Sequence, residues 1–445
     1  MQAKNTSRPK IALRSAEKLV PWIEWFVFFN NVVVATMKEL GIKAIKAGYK
    51  YTSWDYWKVV VYKVFKGVST REAADDLNDE LHERYRKGNA RMGGKYPRHE
   101  RLVPNASQVN KFLRKLPASF LDRFQRALFK SAVLKAKEMG LVDKKIEVYL
   151  DCHKLDYYGK DRNETNAQIT NIADGRGTSR ARKYGEIMIS SGQVKVFAGA
   201  CLTTQGTGKE TWIREMLVSL LSWGFIIKRV FADREFSTYD VLAQMDIMQI
   251  PFTGSLKKSA GIHKLVDAYL DKKCRAVVLH VMTPNQYTRL NVGPISVHVI
   301  MKAEPGKSIH AIRADLIAGT ITRAKAREMI HVFVTTEQEP AKSSKLISWG
   351  MTVVEAFRRR WRIETGFRDS DDFTPASRAR YNRIKTFWLV MDRFAYNAWQ
   401  IQRAPYRRLR HVAKAWREGP IKRRFGKVVN MLYVRTCTPA LVAMT

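Results

Sequence analysis

Cysteine is scarce. Four occur in 445 residues, Cys152, Cys201, Cys274 and Cys437, too far apart to form a C-x-x-C pair. Four scattered cysteines without a close pair indicate neither a disulfide framework nor a zinc knuckle, and reduced, mostly buried thiols are expected. Long apolar runs are missing too. The most apolar early stretch, 21–35, is broken by Glu24, Asn30 and Asn31 and is shorter than the ~20 residues a membrane span requires, which points to a buried helix and against a membrane partner. No basic region leading into an uninterrupted apolar core and a small-residue cleavage site opens the chain. A cytoplasmic, nucleoid-associated location is therefore the expectation. Internal repeats and long low-complexity linkers are also lacking.

Acidic residues are in short supply: 41 Asp plus Glu face 79 Lys plus Arg, for a formal charge of +38. That balance belongs to a polyanion binder. The basic residues are spread through folded-looking segments with 11 Trp and 17 Tyr, which favours double-stranded DNA over an anionic membrane. At this length two or three domains are expected.

Residues 1–140 read as helical. Trp54 to Phe65 is an apolar-rich helix ended by Gly67, and Ser69-Thr70-Arg71-Glu72 has capping-box spacing for a second short helix. A polar loop with Gly88, Gly93, Gly94, Pro97 and Pro104 follows. Asn105 can then cap a third helix, Ala106 to Leu116, stopped by Pro117. Its Gln108, Lys111, Arg114 and Lys115 form a hydrogen-bonding, cationic side around Val109, Phe112, Leu113 and Leu116. That pattern fits a DNA recognition helix or an ordinary amphipathic helix with a solvated basic face.

From Lys145 the pattern turns to strands: Ile146 to Leu150, Glu186 to Ser190 and Val194 to Leu202. An amphipathic helix, Glu210 to Trp223, ends at Gly224. A fourth strand, Phe225 to Ala232, runs into Asp233, Ser237 caps a short helix, and a fifth strand starts near Ile250. The order β-β-β-α-β-α-β matches an α/β, ribonuclease H-like mixed sheet in which the first and fourth strands are neighbours, with Asp151 and Asp233 at their carboxyl-terminal tips. Between Leu256 and Thr336, the pieces Ala276 to Met282, Ile295 to Met301 and Val332 to Thr335 read as a strand-rich inserted subdomain. The expected division is an all-α DNA-binding domain at 1–140, the first part of the core at 141–255, a β-rich insertion at 256–340, the end of the core at 341–400 and a basic tail at 401–445.

Three acids in separate segments carry the chemistry. Asp151 and Asp233 each end an apolar run, and Glu364 sits in a basic, aromatic helical stretch from Phe357 to Arg368. Hard carboxylate ligands drawn from separate elements suit two Mg²⁺ or Mn²⁺ ions that clamp the attacking and leaving oxygens of a phosphodiester. Arg360 and Arg368, one turn either side of Glu364, suit phosphate contacts.

The segments Val148-Tyr149-Leu150-Asp151, Phe231-Ala232-Asp233-Arg234-Glu235-Phe236 and Arg360-Trp361-Arg362-Ile363-Glu364-Thr365-Gly366-Phe367-Arg368 resemble the three catalytic blocks of DDE transposases from bacterial and archaeal insertion sequences. The likeness is to the subgroup with a β-rich insertion before its last acid. Of that subgroup's Tyr, Arg, Glu, Lys signature this chain keeps Arg360 and Glu364, with Phe357 and Asp371 at the outer positions. The resemblance implies water attack at a transposon end, transfer of the freed 3′-hydroxyl to target DNA, a homo-oligomer on DNA, and an aromatic clamp such as Trp361 or Trp388 on a flipped base. A nuclease without strand transfer and an inactive DNA-binding protein are the alternatives. Gly206-Thr207-Gly208-Lys209 lacks the residues of a phosphate loop. His153, Asp156 and Glu235 are ambiguous neighbours of the acids.

Overall fold

The computed structural model describes residues 35, 38–39, 51–92, 100–157, 169–171, 178–190, 194–203, 208–360 and 382–408. Two compact units divide the chain, one of 1–142, 192–197 and 368–445, the other of 143–191 and 198–367. Among the described residues no helix is long and apolar enough to cross a membrane.

In the first unit, α1 (Ser53–Lys66) contains three consecutive valines, weak helix formers held by good ends. Thr52 and Asp55 make a capping box, and Gly67 closes the helix at φ 68°, where a side chain would be strained. Val59, Val60 and Val61 are buried. In α2 (Thr70–Met92) the Ser69 hydroxyl accepts from the Glu72 amide. This helix is not short: it runs through Gly88, where a loop was expected, because one interior glycine costs only about 1 kcal/mol. Asn105 and Gln108 form a capping box at the start of α3 (Ala106–Lys115). After Pro117 comes α4 (Ala118–Glu138).

The last described helix, here α11 (Asn382–Arg408), completes this unit. Trp57 packs against Phe112, Phe120, Phe124 and Phe387 at centroid distances of 5.5–6.2 Å. Residues 382–400, expected at the end of the core, thus group with the amino-terminal helices. Trp388 is buried with the Lys63 ammonium 4.4 Å from its ring, so it is not available to clamp a base.

The second unit is mixed α/β with an open sheet. The strands of the sheet are β1 (Lys145–Asp156), β2 (Ile169–Asn171), β3 (Arg180–Ser190), β4 (Lys195–Leu202, whose residues 195–197 fall in the first unit), β5 (Ile226–Ala232), β6 (Phe252–Ser255), β7 (Val277–Met282), β8 (Ile295–Ala303) and β9 (Ile330–Thr335). The order is β2-β3-β1-β5-β6-β9-β8-β7, with β4 also on β3. β1 and β5 are parallel neighbours, as expected for the first and fourth strands, and β1 and β3 are antiparallel. Ile146, Val148 and Leu150 are fully buried, as a strand flanked on both sides requires.

Three expectations are corrected here. β1 does not stop at Leu150 but continues to Asp156, its polar second half held by the ladder to β3. The inserted strands form no separate subdomain: β9 pairs with β6 through Thr253 and Thr335, and β8 and β7 follow, so they widen the core sheet by covering the β6 edge. Ser237 does not cap the next helix; its hydroxyl donates to the Ser255 carbonyl at 2.6 Å, and Thr238 precedes α6 (Tyr239–Ile247).

The remaining helices are α5 (Lys209–Ser222), α7 (Ala260–Leu270), α8 (Ile309–Ile317), α9 (Arg323–Glu328) and α10 (Leu346–Arg358). Of these, α7, α8 and α9 lie inside the insertion that reads as strand-rich. Gly185 of β3 lets Trp212 of α5 seat on the sheet, since an added Cβ would lie 2.6 Å from the indole.

Candidate active site

Side chains alternate along a strand, and one face of the β1–β5 pair carries an aromatic stack that ends in acids. Tyr149 stacks on Phe231 at 5.4 Å, and Phe357 at the end of α10 meets Phe231 and Phe333 edge-on at 6.3 and 5.4 Å. Two residues further along the same face stand Asp151 and Asp233. The parallel register ends at Leu150 and Ala232, so the two carboxylates lie side by side where the pairing stops. Asp151 is therefore mid-strand rather than at a strand tip; what ends beside it is the pairing with β5.

Both aspartates are pinned through one oxygen. The Cys152 amide donates to Asp151 Oδ1 at 2.7 Å, and the Arg234 amide to Asp233 Oδ1 at 2.6 Å. Ser255 Oγ, at the end of β6, adds a 3.1 Å bond to the same Asp233 oxygen. Burial pushes the Asp151 carboxyl up to about 6, against the lowering influence of the Cys152 amide and the Arg360 charge, with Glu235 and Asp233 adding repulsion. A desolvated carboxylate beside other acids is a site that gains from a bound cation.

Arg360 follows α10. Its amide donates to the Phe357 carbonyl at 2.8 Å, its guanidinium lies 5.5 Å from the Phe357 ring, and Nη1 is 3.9 Å from Asp151 Oδ2. That gap makes it a neighbouring charge rather than a hydrogen-bond partner. Its neighbour Arg359 donates to Glu147 Oε1 at 3.3 Å, and Glu147 also accepts from the Tyr149 hydroxyl at 2.9 Å. The end of α10 is thereby tied to β1 by the Arg359–Glu147 bond. The helical stretch expected from Phe357 to Arg368 differs in its described part: the helix began at Leu346 and ends at Arg358. Glu364, Trp361 and Arg368 lie outside the described residues. Among the described residues, no group of three or more His, Cys, Asp or Glu side chains is arranged to hold a metal ion.

Sequence reasoning missed Ser255, Glu147, Arg359 and Lys209, and it read Lys183 as part of a flexible basic loop usable against a DNA backbone, whereas Lys183 stands within β3 on the sheet's other face. Lys183 and Lys209 both reach Glu235, in the turn (Arg234–Phe236) that Asp233 opens. Burial alone would push the Glu235 carboxyl up, but hydrogen bonds from Lys183 and the Cys152 thiol, with the charges of Lys209 and Lys183, hold it below the ordinary range. Burial, the larger influence, pushes the Cys152 thiol up, so it is neutral.

On α3, in the other unit, Lys111, Arg114 and Lys115 are exposed. Gln108 is drawn into the cap: its Oε1 accepts from the Asn105 amide at 2.9 Å.

No family model matches the chain, and no curated protein matches it. Among solved structures, the piggyBac transposase synaptic complex with hairpin DNA, seen by cryo-EM, is similar over 93% of this chain and 79% of that one, at 9% identity and a TM-score of 0.48. A Drosophila P element transposase strand transfer complex is similar over 83% and 80%, at 11% identity and a TM-score of 0.22. Likenesses this loose pass neither fold nor function to the chain, for which its own residues must answer.

Proposed function

We propose that this protein is a DDE-type DNA transposase with a ribonuclease H-like core, and that it cleaves phosphodiester bonds at the ends of a mobile element and joins the freed 3′-hydroxyls to target DNA. One observation carries the reading: two carboxylates from separate strands lie side by side where the parallel β1–β5 pairing ends, each fixed through Oδ1. The charge of +38 supports a polyanionic substrate.

The donor set fits hard divalent cations. Asp151 and Asp233, completed by Glu364 from the sequence, would hold two Mg²⁺ or Mn²⁺ ions, which when bound supply charge neutralisation at the phosphate and a lower pKa for attacking water. The chain's own residues do the rest. Ser255 and the Arg234 amide orient Asp233. Arg360, whose guanidinium lies beside Asp151, offers its fork to a phosphate. The hydrogen-bonding side of α3, with Lys111, Arg114, Lys115 and Gln108, is the proposed contact to duplex DNA outside the core, and assembly on two DNA ends would require a homo-oligomer.

The test is cleavage and joining of labelled duplexes with Mn²⁺ by wild type, Asp151→Asn and Asp233→Asn. Wild type should cut and join, and both variants should bind DNA and do neither. Cutting without joining would make the protein a nuclease. Equal inactivity of wild type and variants, with DNA binding retained, would remove the enzymatic reading.

A further inference from the structure

At the same end of the sheet, but on its opposite face, two lysines converge on one carboxylate. Lys183 of β3 is 2.5 Å from Glu235 Oε2, and Lys209, the first residue of α5, donates to the Glu235 main-chain oxygen at 2.5 Å with Oε2 3.7 Å away. The alternation that puts Asp151 beside Asp233 turns Cys152 and, through the β1–β3 register, Lys183 to the other side. Both ammonium groups are held in place. Thr203 fixes the Lys183 backbone through its amide and hydroxyl, and Lys209 lies over the Phe236 ring at 5.0 Å.

Two cations against one carboxylate leave one positive charge in excess. At 20%, 30% and 32% side-chain exposure, Lys183, Lys209 and Glu235 are neither core nor freely solvated. A purely structural pair would need only one lysine to offset Glu235. An ammonium has three donors, so both lysines retain capacity for a further anion. A DNA strand crossing the carboxyl end of the β1–β5 pair would meet the aspartates on one side and these lysines on the other.

We propose that Lys183 and Lys209 form a phosphate-binding site for the DNA backbone, in which Glu235 is the resident anion that holds both ammonium groups until a phosphate takes them. This rests on the reading that DNA enters the aspartate site. Glu235 is then a positioning residue and a competitor at once, which gives its substitution an unusual sign.

The experiment uses the full chain without divalent metal. Binding of a duplex oligonucleotide is measured across salt concentrations, and inorganic pyrophosphate is titrated separately to distinguish a general phosphate site from one that needs the DNA backbone. Lys183→Gln and Lys209→Gln should each weaken DNA binding uniformly across sequences and lower the salt slope by about one, while Lys183→Arg retains it. Glu235→Gln should tighten binding several-fold. If Glu235→Gln does not fold, Glu235→Asp, which loosens the hold on both ammonium groups, is read in the same way. Unchanged or weaker binding by a folded Glu235 variant, with wild-type salt slopes in the lysine variants, overturns the site. If Lys111→Gln and Arg114→Gln lower the slope in that case, the DNA reading survives without it. If wild type binds no duplex, the functional reading falls, and the pyrophosphate titration alone decides whether the lysines bind phosphate.

Discussion

Replacing Asp151 by Asn should make the metal-free protein more stable, not less. In the fold the Asp151 carboxyl titrates near 6, against 3.8 for a solvated aspartate, with burial the main cause. A raised carboxyl pKa means the folded state binds the proton more tightly than the unfolded chain. The penalty is therefore absent below pH 3.8, grows between the two values, and is complete above the folded value of about 6. Two units at about 1.36 kcal/mol each come to about 3 kcal/mol at pH 7.5. Asparagine keeps an oxygen for the Cys152 amide and carries no charge to desolvate, so it should recover much of that penalty.

The assay is urea denaturation in EDTA from pH 4 to pH 8, followed by tryptophan fluorescence, with the transition of the α/β unit compared between the two proteins. Their difference should be largest at pH 7.5 and vanish near pH 4. Mn²⁺ at roughly a thousandfold excess over Kd should reverse the order, because a ligand bound only by the folded wild type then stabilises it by about 4.1 kcal/mol, more than the penalty. An Asn variant that is less stable at pH 7.5 in EDTA, or a difference independent of pH, would refute the claim that Asp151 is an under-compensated buried carboxylate awaiting a cation.

Three further outcomes follow from particular contacts. Ser255→Ala removes the hydroxyl that bonds Asp233 Oδ1; it should cost about 1 kcal/mol of stability but weaken Mn²⁺ binding and lower kcat for cleavage, a pattern that calorimetry and single-turnover kinetics would separate. Gly185→Ala forces a Cβ to 2.6 Å from the Trp212 indole and should destabilise the α/β unit by about 1–3 kcal/mol in thermal melts. Burial holds the Lys63 ammonium down at about 8 against 10.5 in the unfolded chain. Because the folded state binds that proton less tightly, stability of the helical unit should rise by about 3 kcal/mol from pH 8 to pH 10.5, and Lys63→Met should abolish the rise in pH-dependent denaturation.

What the sequence made legible was local. Phe231 and Ala232 before Asp233, and Val148 to Leu150 before Asp151, read as buried strands that end in an acid, because a central strand is apolar on both faces and its first charged residue stands out. The Asn105 cap was equally plain, but Gln108, read as part of the DNA-facing side, closes a capping box with it. By contrast, Cys152 to Asp156 reads as polar chain, yet it extends β1 because β3 supplies a hydrogen-bonding edge. Nothing within a strand announces a partner recruited from elsewhere.

The same limit explains the rest of the site. Thr335 meets Thr253 across 82 residues, Arg359 meets Glu147 across 212, and Lys183 meets Glu235 across 52. Each member of those pairs alone is indistinguishable from a solvated surface charge or a strand-end polar group. They acquire a role only when the β1–β5 register turns alternate residues to opposite faces. One face then gathers Tyr149, Phe231, Asp151 and Asp233 under the end of α10, and the other gathers Cys152 and Lys183 beside Glu235. A one-residue slip in that single register would exchange the two sets, leaving the acids among lysines and the aromatic stack without its ring partners. The strength of the β1–β5 pairing, more than any one side chain, is therefore what a functional site here depends on.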